Sequence, residues 1–307
     1  MRVLQRAEIG AEAWDAFCLA HLGAWFIWTS AYLDYQAARG SRELSFGIMD
    51  GDRLVAICPL FLEDRDGMRS FTMEGHPGPG PIAHIDNPEI GAKIIMQGLE
   101  YLEGLAKEHQ SHMFAFHANV FQPIPFVHTE QYRDISWHTQ MIDLTQSEAD
   151  LHAGIRKSYT SLINHVTRTH EIIVDDKGKL LKAFRRLHFG QVGRETRPER
   201  TWEIQREWCQ AGNGLIVAAK RWDVAVACTY WIIYKNCGYY ASSASINRNI
   251  THALVWRAML ELKARGVERL EMGWLDYDKS EKGQGIARFK TGFGGEAVPV
   301  IAVERRF

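Results

Sequence analysis

Several side chains near the end of the chain have the types and spacing needed to move an acyl group onto an amine. Lys290 lies in the run 289–295, FKTGFGG, where a lysine would present a compact positive charge to a developing oxyanion. Asp276 follows a predicted strand, at the kind of place where open α/β sheets collect their ligands, and would orient or deprotonate the amine. The structural alternative is a solvated acidic loop with a surface salt bridge from Lys290 to Asp276 or Asp278.

Polar and aromatic side chains close by in the sequence are candidates for holding the two reactants in line, which acyl transfer also requires. Tyr240, Ser242 and Ser243 stand at the end of a predicted strand, where they would form hydrogen bonds to a carbonyl group or a sugar. The alternative is that they are ordinary polar strand positions. The predicted substrate-binding residues of this region are Tyr240, Ser242, Ser243, Phe289 and Phe293.

A second candidate region follows a helix that we predict at 178–190. Arg194 and Arg197 are close enough in the sequence to hold a phosphate or a carboxylate through bidentate guanidinium contacts. His188 is a candidate general base, because the ordinary pKa of histidine lies close to neutral pH. A histidine on a helix face is more often packed or solvated, so both interpretations of His188 are kept.

The loop before a predicted helix at 251–265 is a candidate anion site. The first turn of a helix has unpaired N–H groups and a partial positive charge, which together attract phosphate groups. Arg248, Asn249 and Thr251 stand at this end of the helix and are the predicted contacts to the pyrophosphate of a cofactor. Thr251 also fits an ordinary N-cap.

Arg156 and Lys157 are basic residues at a predicted helix start within 148–170. A positive charge at that position opposes the helix dipole. This unfavourable placement favours a functional interpretation, in which the two side chains contact the phosphates of a donor cofactor or RNA, over simple solvation.

Three of these runs resemble a known family. Residues 289–295 resemble the C-terminal F-K-x-x-F-G-G signature of FemAB-like proteins, a branch of the GNAT superfamily that adds amino acids to peptidoglycan precursors. Residues 155–164 resemble the basic helix of that family. Residues 248–253 partly resemble the GNAT pyrophosphate motif R/Q-x-x-G-x-G/A, with Thr251 in place of the central glycine. The resemblance covers the second half of the chain and is only a general pattern over 1–140.

The resemblance implies two GNAT-like lobes, a role for Lys290 near the reacting groups, and a donor that is usually an aminoacyl-tRNA. Related branches are expected to use acyl-coenzyme A. FemAB-like proteins often carry a long helical arm for tRNA, and the segment between Glu171 and Thr201 is too short for such an arm. The sequence therefore favours a donor that is an acyl-coenzyme A or a thioester on an acyl-carrier protein.

Three functions follow as hypotheses. The main one is an N-acyltransferase that uses a thioester donor and an amine acceptor, such as an amino sugar or small amine, without a metal. The first alternative is an aminoacyl-tRNA-dependent transferase of the peptidoglycan-bridge type, acting on a cell-envelope precursor. The second is a catalytically inactive GNAT-like module that binds a ligand.

The elements that must position these residues alternate in a similar order in both halves of the chain. Asp-Gly between two apolar runs predicts a hairpin with strands at 44–49 and 54–62. The proline- and glycine-rich segment 75–81 predicts a loop, either a connector or the lining of a cleft. The pattern indicates an α/β (α+β) protein with two GNAT-like lobes, each a mixed sheet flanked by helices, over residues 1–145 and 146–307.

In the second lobe, strands are predicted at 215–220, 224–234 and 238–244, followed by the helix at 251–265. A strand at 270–273 then leads into a predicted loop at 274–287, with Lys290 just beyond it. A last strand is predicted at 298–303.

Composition excludes several other classes. The chain has 307 residues, of which 46% are hydrophobic and 24% charged, as in ordinary globular proteins. Its net charge of −1 gives no overall field to attract DNA or an anionic surface. The five cysteines are odd in number and lack CxxC spacing, which disfavours disulfides and zinc sites. The first ten residues lack the apolar core of a signal peptide and no apolar run approaches a membrane span, so we expect a cytoplasmic protein.

Overall fold

The computed structural model describes residues 1–84, 88–121, 132–276 and 280–306. The chain divides into two compact units, one formed by residues 1–137 with 299–307 and the other by residues 138–298. Each unit combines helices with sheets, and the predicted fold class is therefore confirmed. The last strand belongs to the first unit, whereas the sequence assigned it to the second lobe, because its backbone pairs with two strands of the first unit.

The first unit begins with a strand and a short helix and continues through two small sheets. Its helices are α1 (Arg6–Ile9), α2 (Ala11–Ala20), α3 (Ser30–Ala38) and α4 (Pro88–Glu108), with a 3₁₀ turn at Phe26–Trp28. Its strands are β1 (Arg2–Gln5), β2 (Arg42–Glu43), β3 (Phe46–Asp50), β4 (Arg53–Cys58), β5 (Phe61–Arg65), β6 (Met68–Phe71), β7 (Gly78–Pro79), β8 (Ile82–Ala83), β9 (Met113–His117) and β10 (Arg133–Asp134).

The second unit supplies the longer strands. Its strands are β11 (Trp137–Asp143), β12 (Glu171–Asp175), β13 (Gly214–Arg221), β14 (Val224–Tyr234), β15 (Cys237–Ser245), β16 (Arg269–Trp274) and β17 (Glu296–Val300). Its helices are α5 (Glu148–Gly154), α6 (Lys157–Thr169), α7 (Leu181–Val192), α8 (Glu199–Gln210), α9 (Thr251–Ala264) and α10 (Glu281–Thr291), with a 3₁₀ turn at Arg248–Ile250 before α9. Strand β18 (Ala302–Arg306) then returns to the first unit.

Two sheets form the first unit, with strand orders β1-β3-β4-β8 and β10-β18-β9-β6-β5-β2. The predicted single strand at 54–62 is wrong, because the chain leaves one sheet after Cys58 and enters the other at Phe61. Pro59 between them cannot donate a backbone hydrogen bond, which makes it a natural point of transfer. The predicted loop at 75–81 contains one short paired segment, since Gly78 and Pro79 lie beside β9.

The sheet of the second unit has the order β12-β13-β14-β15-β16-β11-β17. Strands β13 to β15 form an antiparallel meander, as their alternating apolar sequences and tight turns predict. Helix α9 buries one long apolar face, including Leu254, Ala258 and Leu262, against this sheet. The connection from β15 through α9 places β16 parallel to β15, as a helical crossover allows.

Four local predictions for the second unit need correction. The predicted loop at 274–287 is wrong over its second half, because α10 begins at Glu281 and carries Lys290 on its last turn. The helical stretch at 148–170 is broken at Ile155 and Arg156, and Arg156 is the N-cap residue of α6. Thr251 is the first residue of α9 and not its cap, because the preceding 3₁₀ turn is capped instead by the side chain of Asn247. The strand predicted at 298–303 is two strands, β17 and β18.

The glycines of the FKTGFGG run let the chain pass very close to other backbone. Gly294 and Gly295 both have positive φ angles, 86° and 76°. An added Cβ on Gly295 would overlap with the carbonyl oxygen of Met141 in β11, and one on Gly292 would overlap with the ring of Tyr159. Gly294 in turn accepts a hydrogen bond of 2.6 Å from the amide of Gln140. These glycines fix the turn that follows α10.

We expect Gly295→Ala to lower the free energy of unfolding by at least ~3 kcal/mol, since a left-handed conformation costs alanine ~1–2 kcal/mol and the overlap forces the backbone to move. Gly212→Ala is the matched control, because Gly212 has a φ of 83° but no atom within 4 Å of an added Cβ. The control should lose only ~1 kcal/mol. Urea midpoints of the two variants test this, and equal midpoints would show that the close approach to Met141 is not needed.

Candidate functional site

A cleft of about 830 Å³ lies in the second unit where β15 and β16 separate. The parallel register of these strands ends at Tyr239 opposite Glu271, whereas β15 continues to Ser245. An extended ligand can pair with strand backbone that lies beyond such a register. The lining comes from β15, the start of α9, α10 and the end of α7, and includes Tyr239, Tyr240, Ser242, Ser243, Ser245, Arg248, Thr251, His252, Lys282, Phe289, Lys290 and Gln191.

A register shift occurs in the part of β15 that lines this cleft. Tyr230 pairs with Ser242 and Trp231 with Tyr240, so that Ala241 has no partner opposite it in β14. A bulge of this kind bends the strand and re-aims the side chains on either side of it. Tyr240, on one side of the bulge, and Ser242 and Ser243, on the other, all contribute to the lining of the cleft.

Lys290 lies at the inner end of the cleft on the last turn of α10. Its Nζ donates a hydrogen bond of 2.8 Å to the carbonyl oxygen of Trp274, and not to Asp276 as in the salt-bridge alternative. Burial lowers the pKa of Lys290 to about 8, although the nearby carboxylate of Glu271 acts in the opposite direction. Its ammonium group is therefore poised to lose or keep a proton near neutral pH.

Glu271 is the carboxylate that faces Lys290 from strand β16. Burial raises the pKa of Glu271 to about 7, while the hydroxyl of Thr139 and the charge of Lys290 favour its ionised form. The Oγ1 of Thr139, on the neighbouring strand β11, donates a hydrogen bond of 2.9 Å to Glu271 Oε1. A carboxylate with a pKa close to the working pH suits a general base.

Gly273 brings Lys290 and Tyr239 to one point. Its φ of 86° disfavours any other residue, and an added Cβ would lie 3.1 Å from Lys290 Nζ and 3.4 Å from the hydroxyl oxygen of Tyr239. The amine and the phenol are therefore neighbours over the face of this glycine that carries no side chain. Tyr239 is opposite Glu271 in the register. The carboxylate of Glu271, the amine of Lys290 and the hydroxyl of Tyr239 therefore lie close together where the two strands part.

An aromatic cluster forms the wall of the cleft beside α9 and α10. The ring of His252 lies 4.2 Å from that of Tyr159 and 5.1 Å from that of Phe289, measured between centroids. His252 Nδ1 donates to the carbonyl oxygen of Asn249 at 3.1 Å. Burial, followed by the charge of Arg156, lowers the pKa of His252. The imidazole is therefore neutral, with Nε2 available as an acceptor.

The outer part of the cleft is basic. Arg248 precedes α9 and Lys282 lies in the first turn of α10, and both side chains are exposed and line the cleft. Glu281 is the acidic lining residue among those described. An anionic group on a ligand would be attracted to this part of the cleft.

Several predicted site residues come together in the cleft, although they were widely spaced in the sequence. The lining includes Tyr240, Ser242, Ser243, Arg248, Thr251, Phe289 and Lys290. Phe293 lies behind the wall, 1% exposed and packed between the rings of Tyr159 and Phe289. Arg156 stacks on Tyr159 with its guanidinium carbon 5.0 Å from the ring centre.

Other predicted residues lie outside the cleft lining. His188 packs against Phe184 and Trp202, and Arg197 lies 3.8 Å from the ring centre of Trp202. Burial and the charge of Arg197 lower the pKa of His188. Arg194 and Lys157 are exposed.

Two further predicted site residues, Asn249 and Asp276, contact residues close to them in the chain. Asn249 contributes its backbone to the 3₁₀ turn and to His252. Asp276 packs beside Gly283 of α10. Asp278, the other predicted partner for a salt bridge with Lys290, lies outside the described residues.

Sequence reasoning missed four residues of the site. Glu271 was hidden inside a strand, where a carboxylate among apolar neighbours was the available signal. Tyr239 and His252 looked like ordinary aromatic strand and helix positions. Gln191 reaches the cleft from the end of α7, where its Oε1 accepts a hydrogen bond of 3.1 Å from the N–H of Ser245.

The described residues contain no cluster of three or more histidine, cysteine, aspartate or glutamate side chains able to hold a metal ion. Within the same part of the chain, no helix has both the length and the apolar character needed to cross a bilayer.

The fold is similar to those of several solved structures. No protein family model and no curated protein matches the sequence. The chain is similar to FemX with a TM-score of 0.71 at 10% identity, covering 100% of this chain and 98% of that one. It is similar to L-PGS from Bacillus licheniformis with a TM-score of 0.63 at 13% identity, covering 97% and 92%. A tandem GNAT protein from the clavulanic acid biosynthesis pathway gives a TM-score of 0.51 at 13% identity, covering 99% and 98%.

These similarities extend over the whole chain and not only over the half that carries the FKTGFGG run. The protein therefore has the tandem GNAT-like fold of FemX and its structural relatives.

Proposed function

We propose that the chain is an N-acyltransferase whose reaction takes place in the cleft of the second unit. The observation that carries this proposal is the half-buried group of Glu271, Lys290 and Tyr239 at the point where β15 and β16 part. Glu271 would act as general base, and Lys290 as the positive charge that stabilises the oxyanion. An activated thioester is the donor, and an amine such as that of an amino sugar or small molecule is the acceptor.

The reaction follows from these positions. Glu271 accepts a proton from the acceptor ammonium group, directly or through one water molecule. The free amine attacks the thioester carbonyl carbon, and the negative charge that develops on the carbonyl oxygen lies beside the Lys290 ammonium. Collapse of the tetrahedral species forms the amide bond and breaks the carbon–sulfur bond. The nitrogen loses its second proton as the amide forms, and the thiolate takes up one proton, so that the products are an amide and a thiol.

The donor would lie along β15, with its anionic part at the basic outer end of the cleft. Arg248 and Lys282 supply the charge there. Thr251 occupies the place of the glycine in the GNAT pyrophosphate motif, and its side chain lies 3.5 Å from the hydroxyl of Ser245. The hydroxyls of Thr251 and Ser245 would therefore replace part of the backbone contact that a glycine permits.

A second candidate is an aminoacyl-tRNA-dependent transferase, favoured by the similarity to FemX over the full length of both chains. The structure describes every residue between Glu171 and Thr201, and this segment holds β12, α7 and the beginning of α8 without a long helical arm. We therefore rank the thioester donor first.

Thermal unfolding of the full chain against a donor panel distinguishes these functions. A ligand that binds the native state at 100 times its dissociation constant adds about 2.7 kcal/mol, which corresponds to a rise in Tm of roughly 5–10 °C. We expect this rise with acetyl-coenzyme A or a longer acyl-coenzyme A, and a smaller rise for Arg248→Ala. A rise with aminoacyl-tRNA alone would support the second candidate. No rise with any donor would contradict both.

A further inference from the structure

The tip of the β13–β14 hairpin carries the most exposed large apolar side chain among those described. Trp222 is 85% exposed, and Val224 beside it is 63% exposed. Trp222 and Asp223 form the two-residue turn between the paired residues Arg221 and Val224, with φ angles of 50° and 63°. Such a turn favours asparagine and glycine, because a bulky side chain is strained in this conformation.

Tryptophan is therefore an unfavourable residue at this position for two reasons. It is strained in the turn, and its indole remains in water. Its one described ring contact is with Arg221, whose guanidinium carbon lies 4.5 Å from the ring centre. With the exposed side chain of Val224, Trp222 forms an apolar patch, and an exposed apolar patch rimmed by polar residues marks a site of contact with a partner or a membrane.

The surroundings of Trp222 are both apolar and basic. Ile246, 72% exposed, follows β15 and donates its backbone N–H to Val226 of β14, so it lies at the same end of the sheet. Lys220 and Arg221 end β13, and Arg248 follows Ile246 by two residues.

Acidic residues at this end are fewer than basic ones. Arg168 lies near the end of α6, just before Glu171, which pairs with Lys220. Asp223 is the second carboxylate. Glu281, which lines the cleft together with Arg248, is the third. Four basic side chains, Lys220, Arg221, Arg248 and Arg168, therefore stand against three acidic ones, in a chain whose overall net charge is −1.

The shape of this surface favours a bilayer over a protein partner. Trp222 and Val224 stand exposed at the tip of a hairpin, where two apolar side chains can insert between lipid headgroups. A stable protein interface instead buries about 800 Å² on each partner and surrounds its anchor residues with matched surface. Tryptophan is the side chain that membrane–water interfaces accommodate best, and neighbouring arginines and lysines bind anionic headgroups.

We propose that the hairpin surface, formed by Trp222, Val224 and Ile246 with Arg221 and Arg248, binds the surface of an anionic lipid bilayer. Ser245, which lines the cleft, pairs with Ala227, three residues along β14 from Val224. This spacing corresponds to ~10 Å along a strand. Docking through the hairpin surface brings the outer end of the cleft to the level of the lipid headgroups.

Co-sedimentation of the full chain with vesicles tests this inference without any assay of transfer. The vesicles are phosphatidylcholine alone, or phosphatidylcholine with roughly one third phosphatidylglycerol. We expect binding to the anionic vesicles that weakens in high salt. Trp222→Asn should bind about tenfold more weakly, because it removes the indole that would be buried. Asparagine suits the left-handed turn, so the Tm of this variant should not fall.

Met68→Ala is the matched control. Met68 is a 61% exposed apolar residue that follows the left-handed turn residues Asp66 and Gly67 in the first unit, and its loss should leave vesicle binding unchanged. Failure of the wild-type chain to bind anionic vesicles overturns the proposal, as does equal binding by Trp222→Asn. Binding to an acidic acyl-carrier protein, lost in Trp222→Asn and unaccompanied by vesicle binding, would overturn it in favour of a protein partner.

Discussion

Lys290→Ala is expected to lower kcat for acyl transfer by about 10²–10³-fold, the usual loss when one group that stabilises an oxyanion is removed. The KM for the donor should change little, because the contact strengthens only as negative charge develops on the carbonyl oxygen. Steady-state rates with the donor that raises the Tm provide the measurement. Lys290→Arg should recover little of the rate, since a planar guanidinium does not match the position of a compact ammonium.

Lys263→Ala is the control for the loss of stability that removal of a hydrogen-bonded lysine causes. Lys263 on α9 also donates a hydrogen bond of 2.8 Å to a backbone carbonyl oxygen, that of Leu144, and it is not among the residues that line the cleft. Both variants remove a lysine that bonds to the backbone, so their losses of Tm should be similar while only Lys290→Ala loses activity. Full activity of Lys290→Ala would exclude the proposed role of this lysine.

The rate should have a narrow pH optimum that depends on Glu271. As a general base, Glu271 must be ionised, and because its pKa is raised to about 7, kcat/KM should increase as the pH rises towards that value. Lys290 must keep its proton, and because its pKa is lowered to about 8, the rate should decrease above it. Glu271 and Lys290 interact, so the two apparent pKa values read from the pH profile describe the pair and not the individual residues.

Glu271→Gln should lower kcat/KM by about 10²–10⁴-fold and remove the acidic limb of the pH profile. His252→Gln is the comparison, because the neutral imidazole lines the cleft and is the other candidate base. If Glu271 is the base, the acidic limb persists in His252→Gln. An acidic limb that persists in Glu271→Gln and disappears in His252→Gln would assign the base to the histidine.

Local patterns in the sequence predicted the elements whose partners are close along the chain. The meander of β13, β14 and β15 and the helix α9 follow from alternation, turns and an apolar face, all within about 50 residues. The proposed role of Lys290 followed from the run around it. Helix α10 was hidden because Gly283 and Gly285 resemble loop positions, although Ser280 caps the helix by accepting from the N–H of Gly283.

The part of the site that sequence reasoning missed depends on contacts between distant segments. Glu271 meets Thr139 because β11 inserts between β16 and β17, an order that no local pattern reveals. The same limitation applied to His188 and Arg197. His188 was predicted as a general base and Arg197 as part of a phosphate or carboxylate site, but the packing of α7 and α8 places both against Trp202.

The position of β18 has a consequence for synthesis on the ribosome. This strand lies between β9 and β10 in a sheet of the first unit, yet the whole of residues 138–298 is translated before it appears. At typical elongation rates that interval lasts roughly 10–30 s, during which β9 and β10 lack their shared neighbour. Unpaired strand edges promote aggregation. The nascent first unit is therefore a natural client for chaperones, whereas the continuous second unit can complete its own sheet first.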